Sequence, residues 1–246
     1  MLQPIFTMSN EDWVPTPYKG KINGNDNIGF GYNITAHLRH GYSLDYFSSP
    51  NYLSDLKSFC NTFGLEYSVG SKSPFTITPV EGVYLYFDAL AEELKVFKAN
   101  AKQHKYMGSV SDSSSNFYNL LFNTDYSVFW TGNAQAFVGA VLNSTHEVAS
   151  FLDLLYNMGG YELSLFNTFL GYLFSGDYES AVSDLRGTEY YNTPFLRERA
   201  DRNISLILSS DSEANNLVED WTAGFAGQFP IFSQIIEKIS LSLSGQ

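Results

Sequence analysis

The sequence predicts an α+β fold in which a small strand-containing lobe precedes a mainly helical one. Three observations carry this. The first fifty residues are rich in Gly, Asn, Tyr and Pro and lack helical periodicity, the pattern of turns and short strands. At Thr78 a helix-start signal is followed by apolar residues at helical spacing. From Ser144 onward, cap residues and apolar stripes recur at short intervals. With 246 residues, 44% of them hydrophobic and 16% aromatic, the chain can bury a sizeable core as one large domain or as two lobes.

Taken in order, Asn23 to Asp26 (NGND) is a hairpin-type turn between extended pieces, and Asn27 to Ile34 continues as short strands. Thr78-Pro79-Val80-Glu81 combines a capping-box Thr and Glu with Pro at the first helical position, and Val80, Tyr84, Phe87, Ala91 and Leu94 follow on one face, so a long helix starts here. The stretch from Lys105 to Gln135 reads as an insertion around a DSSS loop. Ser144-Thr145-His146-Glu147 is a second capping box, opening a helix with Val148, Phe151, Leu152, Leu154 and Leu155 around most of its circumference until Gly159-Gly160 stops it. Such a helix is buried on nearly all sides, and Asp153 within it reads as a core carboxylate satisfied by its neighbours. Shorter helices follow from Leu163 to Phe174, from the cap Asp177 to Arg186-Gly187, and from the cap Thr193 with Pro194 as first residue. The segment Phe229 to Leu243 carries a stripe of Ile231, Ile235, Ile236, Ile239 and Leu243, which either packs on the body or docks a partner protein.

Composition excludes several function classes. Against 26 acidic residues stand 14 Lys and Arg, scattered along the chain, and the net charge of -12 disfavours nucleic-acid binding. The N-terminus has no basic region leading into an apolar run, and no segment reaches about 18 uninterrupted apolar residues, so neither a signal peptide nor a membrane span is expected. Cys60 is the only cysteine and reads as a small half-buried side chain. His37, His40, His104 and His146 are too dispersed for a metal site and read as surface or hydrogen-bonding groups. No phosphate-binding glycine loop or nucleophile elbow is present, and no cofactor is expected.

Within Leu152 to Arg202 five short motifs occur in a fixed order: NMG at Asn157 to Gly159, FNT at Phe166 to Thr168, GDYESA at Gly176 to Ala181, YYNTP at Tyr190 to Pro194, and RADR at Arg199 to Arg202. In this order they resemble the helical C-terminal lobe of the phage-type lysozymes, the muramidases of tailed bacteriophages. The resemblance implies a lysozyme-like α+β fold divided into an N-terminal lobe (1–77), a linking helix and helical C-lobe (78–205, with the insertion at about 105–135) and a C-terminal extension (206–246). It also assigns ITPVEGVYLYFDAL to the helix that joins the lobes, although EGVYLYFD alone looks like the catalytic start of the family.

In that family a catalytic Glu is followed after eight residues by an Asp, and after five more by a Thr opening a TIGxGH-like turn. Asn27-Ile28-Gly29-Phe30-Gly31-Tyr32 resembles the turn, with Asn for Thr and Tyr for His, and counting back places Glu11 at the acid, with Tyr18-Lys19 downstream where the family often has a similar pair. Cleaving a glycosidic bond requires a protonated carboxyl to hand a proton to the leaving oxygen, which explains the need for such a Glu. The family pairs it with an Arg of the helical lobe, a role the resemblance gives to Arg199. The other reading of Glu11 is a routine first-turn acid of a helix capped by Ser9 or Asn10. An inverting enzyme also needs a base roughly 6.5–9.5 Å from the acid. The family position for it holds Gly20, and Asp26, one residue before Asn27 in a loop one residue longer, is either the substitute base or a turn residue.

By the same resemblance Asn27, Asn33, Tyr156, Phe169 and Asp184 are the substrate-binding candidates. Two functions follow: a peptidoglycan muramidase cleaving the β-1,4 bond between N-acetylmuramic acid and N-acetylglucosamine, or a catalytically degenerate structural or wall-binding component of a phage particle. Glu11 and Arg199 favour the first, and Gly20, the acidic charge and the extra segments favour the second. The expected partners are peptidoglycan glycan strands and, for a particle component, other virion proteins; the expected location is the host cytoplasm before release, or the virion tail.

Overall fold

The computed structural model describes residues 3–19, 26–34, 44–110, 116–118, 120–121 and 134–245. The fold is mostly helical, with a three-stranded antiparallel sheet near its start. Helix α1 (Gln3–Asn10) leads into β1 (Val14–Lys19), β2 (Asp26–Gly29) and β3 (Tyr32–Asn33), in sheet order β1-β2-β3. A 3-10 turn (Leu44–Ser48) then precedes α2 (Pro50–Phe63) and the long α3 (Pro79–Ala101). The insertion contributes the short α4 (Met107–Val110) and α5 (Asn116–Tyr118); its DSSS core, like Gly20, most of the NGND turn, His37 and His40, lies outside the described residues. Then come α6 (Ala134–Leu142), α7 (His146–Met158), α8 (Gly160–Ser164), α9 (Asn167–Ser175), α10 (Tyr178–Arg186), α11 (Glu189–Asn192), α12 (Arg197–Leu208), α13 (Asp211–Gln228) and α14 (Pro230–Ser244).

Local chemistry accounts for several boundaries. Thr78 caps α3 with both halves of the capping box formed. Its partner Glu81 is 1% exposed and fully used: Oε2 accepts from the Thr78 and Gly70 N–H groups at 2.8 Å each, and Oε1 from the Tyr52 hydroxyl at 3.0 Å. This carboxylate fastens the loop before α3. Ser49, Pro50 and the left-handed Gly64 delimit α2 in the same local manner.

Other boundaries depart from the sequence reading. The second capping box does not form: Thr145 is the N-cap of α7 without a side-chain bond, and the Ser144 hydroxyl is buried without a partner among the described residues. The Leu163 to Phe174 stretch breaks at Leu165-Phe166 into α8 and α9. Thr193-Pro194 forms a turn rather than a helix start, and α12 begins at Arg197. Cys60 is wholly buried, and burial with the Glu81 charge pushes its thiol up to about 11, so it is an inert core group.

The principal core is continuous from the sheet through α2, α3 and α7 to α14. Helix α3 crosses its centre and meets α8 and α7 on one side and α14 on another. Gly82 sits where α3 receives the Trp13 ring; a Cβ there would lie 2.3 Å from that ring, so only glycine permits the approach. The C-terminal helices brace the same place. Phe232 packs on Phe30 at 4.7 Å and on Trp13 at 4.8 Å between ring centroids. Ile235, Ile236 and Ile239 are buried and Leu243 packs against the core, so four members of the C-terminal stripe are covered by the chain's own body, with Ile231 left 42% exposed. A second, smaller cluster joins α1, α7, α12 and α13 through Phe6, Ala149, Leu206, Ala214 and Val218. Among the described residues, no helix is long and apolar enough to cross a membrane.

Candidate functional site

The end of α1, the turn between β2 and β3, and helices α7 and α12 converge on one guanidinium. Arg199, in the first turn of α12 and 8% exposed, forks onto Asp153 of α7: Nε donates to Oδ2 at 2.9 Å and Nη2 to Oδ1 at 2.8 Å. This is the bidentate geometry that suits Arg to carboxylates. Its Nη1 donates to Oε1 of Glu11. The two carboxylates therefore share one cation. Burial alone would lower the Arg199 pKa, but the charges of Asp153 and Glu11 outweigh it and keep the guanidinium protonated.

Asp153 is 0% exposed and acts as the anchor. Besides Arg199, its Oδ2 accepts from Asn203 Nδ2 at 2.7 Å, and Thr7 of α1 adds a further side-chain hydrogen bond. Burial would raise its pKa, yet the charge and hydrogen bonds of Arg199, with those of Asn203 and Thr7, hold it below the ordinary carboxylate value. The sequence reading of Asp153 as a satisfied core carboxylate agrees with this environment. Its partner residues lie far along the chain, beyond what local pattern reveals.

Glu11 follows the last residue of α1, which corrects the alternative of a first-turn acid: Asn10 closes that helix and does not cap a new one. Its side chain is 19% exposed. Gly31, at φ +77°, brings the turn backbone against the carboxylate, and a Cβ there would lie 2.8 Å from Glu11 Oε2 and 3.9 Å from the Tyr18 hydroxyl. The Gly31 N–H in turn donates to that hydroxyl, while burial and the charges of Glu11 and Asp12 push the Tyr18 phenol up to about 12. From α7 the half-buried Tyr156 donates to the Phe30 carbonyl at 2.8 Å, fastening that helix to the turn. Tyr156 thus works as a strut beside the site, with its hydroxyl committed to backbone.

Strand register decides the position of the remaining candidates in the sheet. Tyr18 pairs with Asn27 and Asn27 with Asn33, so these side chains share one face of the sheet, the face whose Tyr18 hydroxyl accompanies Glu11. Lys19 pairs with Asp26 on the opposite face, where their side chains form an ion pair at 2.8 Å with 71% and 49% exposure. The substitute-base expectation for Asp26 is corrected on this ground: alternation turns its carboxylate away from the Glu11 face. Phe169 is corrected as well. It is 0% exposed inside α9 and fills core, so it offers no surface to a substrate. Asp184 is half exposed on α10, which packs on α9, α11 and α12.

Among the described residues no group of three or more His, Cys, Asp or Glu side chains is arranged to hold a metal. His146 instead lies 2.8 Å through Nδ1 from the Leu206 carbonyl, and His104 stacks on Tyr106. Sequence reasoning missed Asn203 and Thr7 as supports of the central pair and Tyr190 as its neighbour; Tyr190 was visible only as part of the YYNTP motif. Neither a protein-family model nor a curated protein matches the chain.

Proposed function

We propose that the chain hydrolyses peptidoglycan, cleaving the β-1,4 bond between N-acetylmuramic acid and N-acetylglucosamine with Glu11 as general acid. The observation that carries this reading is the placement of one partly exposed carboxylate, Glu11, on a guanidinium that a second, wholly buried carboxylate holds in position. Glu11 keeps this partial exposure beside Tyr18, whose register partner Asn27 and that residue's partner Asn33 lie on the same sheet face. In the reaction Glu11, carrying a proton taken from solvent, gives it to the leaving glycosidic oxygen as the bond from the anomeric carbon breaks, water adds to that carbon, and Arg199 stabilises the carboxylate left behind. With Asp26 on the other face, the proton of that water passes to solvent rather than to a dedicated carboxylate, and turnover is slow. Release through a partner's pore, or carriage in a phage particle, would bring a chain of net charge -12 to an anionic wall that repels it at long range.

The orientation of Asp26 favours a second reading, a lysozyme-like component of a particle that has lost its base. Digestion of purified peptidoglycan separates the two. Release of fragments with reducing-end N-acetylmuramic acid supports the enzyme, and no release from a folded protein supports the second reading. Gly20→Asp, which restores a carboxylate at the position the family resemblance gives to the base, should raise the rate at least tenfold if the acid is functional.

A further inference from the structure

Asn10 closes α1 one residue before Glu11, and its side-chain amide is engaged at both ends. Its Oδ1 accepts from Nη1 of Arg202 on α12 at 2.9 Å, and its Nδ2 donates to Oδ1 of Asp153 on α7 at 3.4 Å. A guanidinium only donates and an ionised carboxylate only accepts, so the group between them must accept on one side and donate on the other. A side-chain amide does both. Aspartate in its place would set a carboxylate oxygen against that of Asp153, and an apolar residue would serve neither partner.

The bridge stands where α1 has little of its own to define its end. The last turn of α1 carries no basic residue, and the Glu11 N–H reaches back to the Met8 carbonyl at 3.3 Å. Arg202 brings a cation to that end from another helix, where it complements the negative pole of the α1 dipole. Arg202 is itself held, with Nη2 donating to Glu198 Oε1 at 2.6 Å and the guanidinium 5.9 Å from the centre of the Trp221 ring. Arg199 binds one oxygen of Glu11 but does not fix the backbone from which that side chain leaves. Asp153, for its part, keeps Arg199, Asn203 and Thr7 when Asn10 is removed, so the bridge adds little to its stability.

We propose that Asn10 is a positioning residue of the Glu11 site: its amide joins Arg202 to Asp153 and so fixes the backbone at which Glu11 leaves α1, bringing the carboxylate to Arg199. The kinetic consequence rests on the proposed hydrolase function; the placement of Glu11 does not. A group that acts by orientation moves the rate and leaves ground-state binding alone.

The test uses Asn10→Leu, which keeps the size and removes both hydrogen bonds, Arg202→Met, which removes one of them, and the double variant, all in the full chain. They are read by kinetics on purified peptidoglycan, by melting temperature and by the carbon-13 resonance of the Glu11 carboxyl. For Asn10→Leu the expected result is a fall in kcat of roughly tenfold with KM within about twofold, a melting temperature within about 4 °C of wild type, and a displaced Glu11 resonance. Arg202→Met should shift the same readouts in the same direction, and the double variant should be no slower than Asn10→Leu, because the two residues act through one contact. Against an active wild type, an unchanged kcat, an unmoved Glu11 resonance or additive losses overturn the proposal. A larger drop in melting temperature in both single variants marks an ordinary packing role and overturns it too; if only Asn10→Leu drops, Arg202→Met decides by the same readouts. If the wild type releases no fragments but the Glu11 resonance moves, the hydrolase reading fails and the positioning of Glu11 stands. If it releases none and the resonance is unmoved, both fail.

Discussion

Asp153 and Glu11 are bound to the same guanidinium and differ in nearly everything else. Asp153 is sealed, with its oxygens filled by Arg199, Asn203 and Thr7, whereas Glu11 is 19% exposed and is held by Arg199 on one oxygen and the Gly31 backbone against the other. A buried carboxylate with every lone pair used is part of the scaffold. A carboxylate that keeps part of its surface in solvent can exchange a proton. The contrast shows one arginine positioned from behind by Asp153 and bound to Glu11 in front, so the two carboxylates differ in burial and in how fully their oxygens are used.

The largest expected effect comes from breaking the sealed half. Asp153→Ala leaves Arg199 and Asn203 buried without their acceptor, which should cost about 3–5 kcal/mol and abolish wall cleavage through loss of the site. Denaturant unfolding measures the first and fragment release the second. The same group imposes a pH dependence. Because its folded pKa is held below the ordinary value of 3.8, its stabilisation is complete above that value and is lost as pH falls toward the folded pKa. Thermal melts of the wild type should therefore drop below about pH 4, and Asp153→Asn should lack that part of the drop. A variant as stable as wild type would end the division of labour between the two carboxylates.

The open half is probed through the turn. Gly31→Ala forces a side chain into a φ of +77° and places its Cβ 2.8 Å from Glu11 Oε2. The cost in stability should be about 1–3 kcal/mol, smaller than for Asp153, but the loss of cleavage should exceed what that destabilisation explains, because Glu11 is displaced. Proportionate losses in both measurements would show that the turn is merely structural. The smallest effect belongs to the opposite face of the sheet. Asp26→Asn removes an exposed pair with Lys19, so stability should change by about 0–1 kcal/mol and cleavage should stay at the wild-type rate. A fall of orders of magnitude would restore Asp26 as the base.

The same contrast marks what could be read from the sequence. Elements fixed by local chemistry were legible: the capping box at Thr78 and Glu81 and Asp177 opening α10; the turn with Gly29 and Gly31, both at positive φ, was singled out only by the family resemblance. Helix α1 was not, because its eight residues carry no cap signal, and packing of Phe6 and Met8 in the interior accompanies its formation. Thr193-Pro194 misled because Pro at a first helical position is also a routine turn residue. Glu11 and Arg199 were singled out only by the family resemblance, and the support from Asp153, Thr7 and Asn203 depends on tertiary approach of α1, α7 and α12. Asp26 teaches a sharper lesson. Strand parity places the residue next to Asn27 on the other face, so the one-residue lengthening of the hairpin relative to the family was itself a sign against it.

The most direct test of the central claim compares the wild type and Glu11→Gln on purified peptidoglycan, with reducing-end N-acetylmuramic acid as readout. Glutamine keeps the side-chain size but has no proton to transfer, so the wild type should release fragments and the variant should do so at least about 100-fold more slowly while melting within a few degrees of it. Equal release by the two proteins, or none by either, would contradict Glu11 as the general acid.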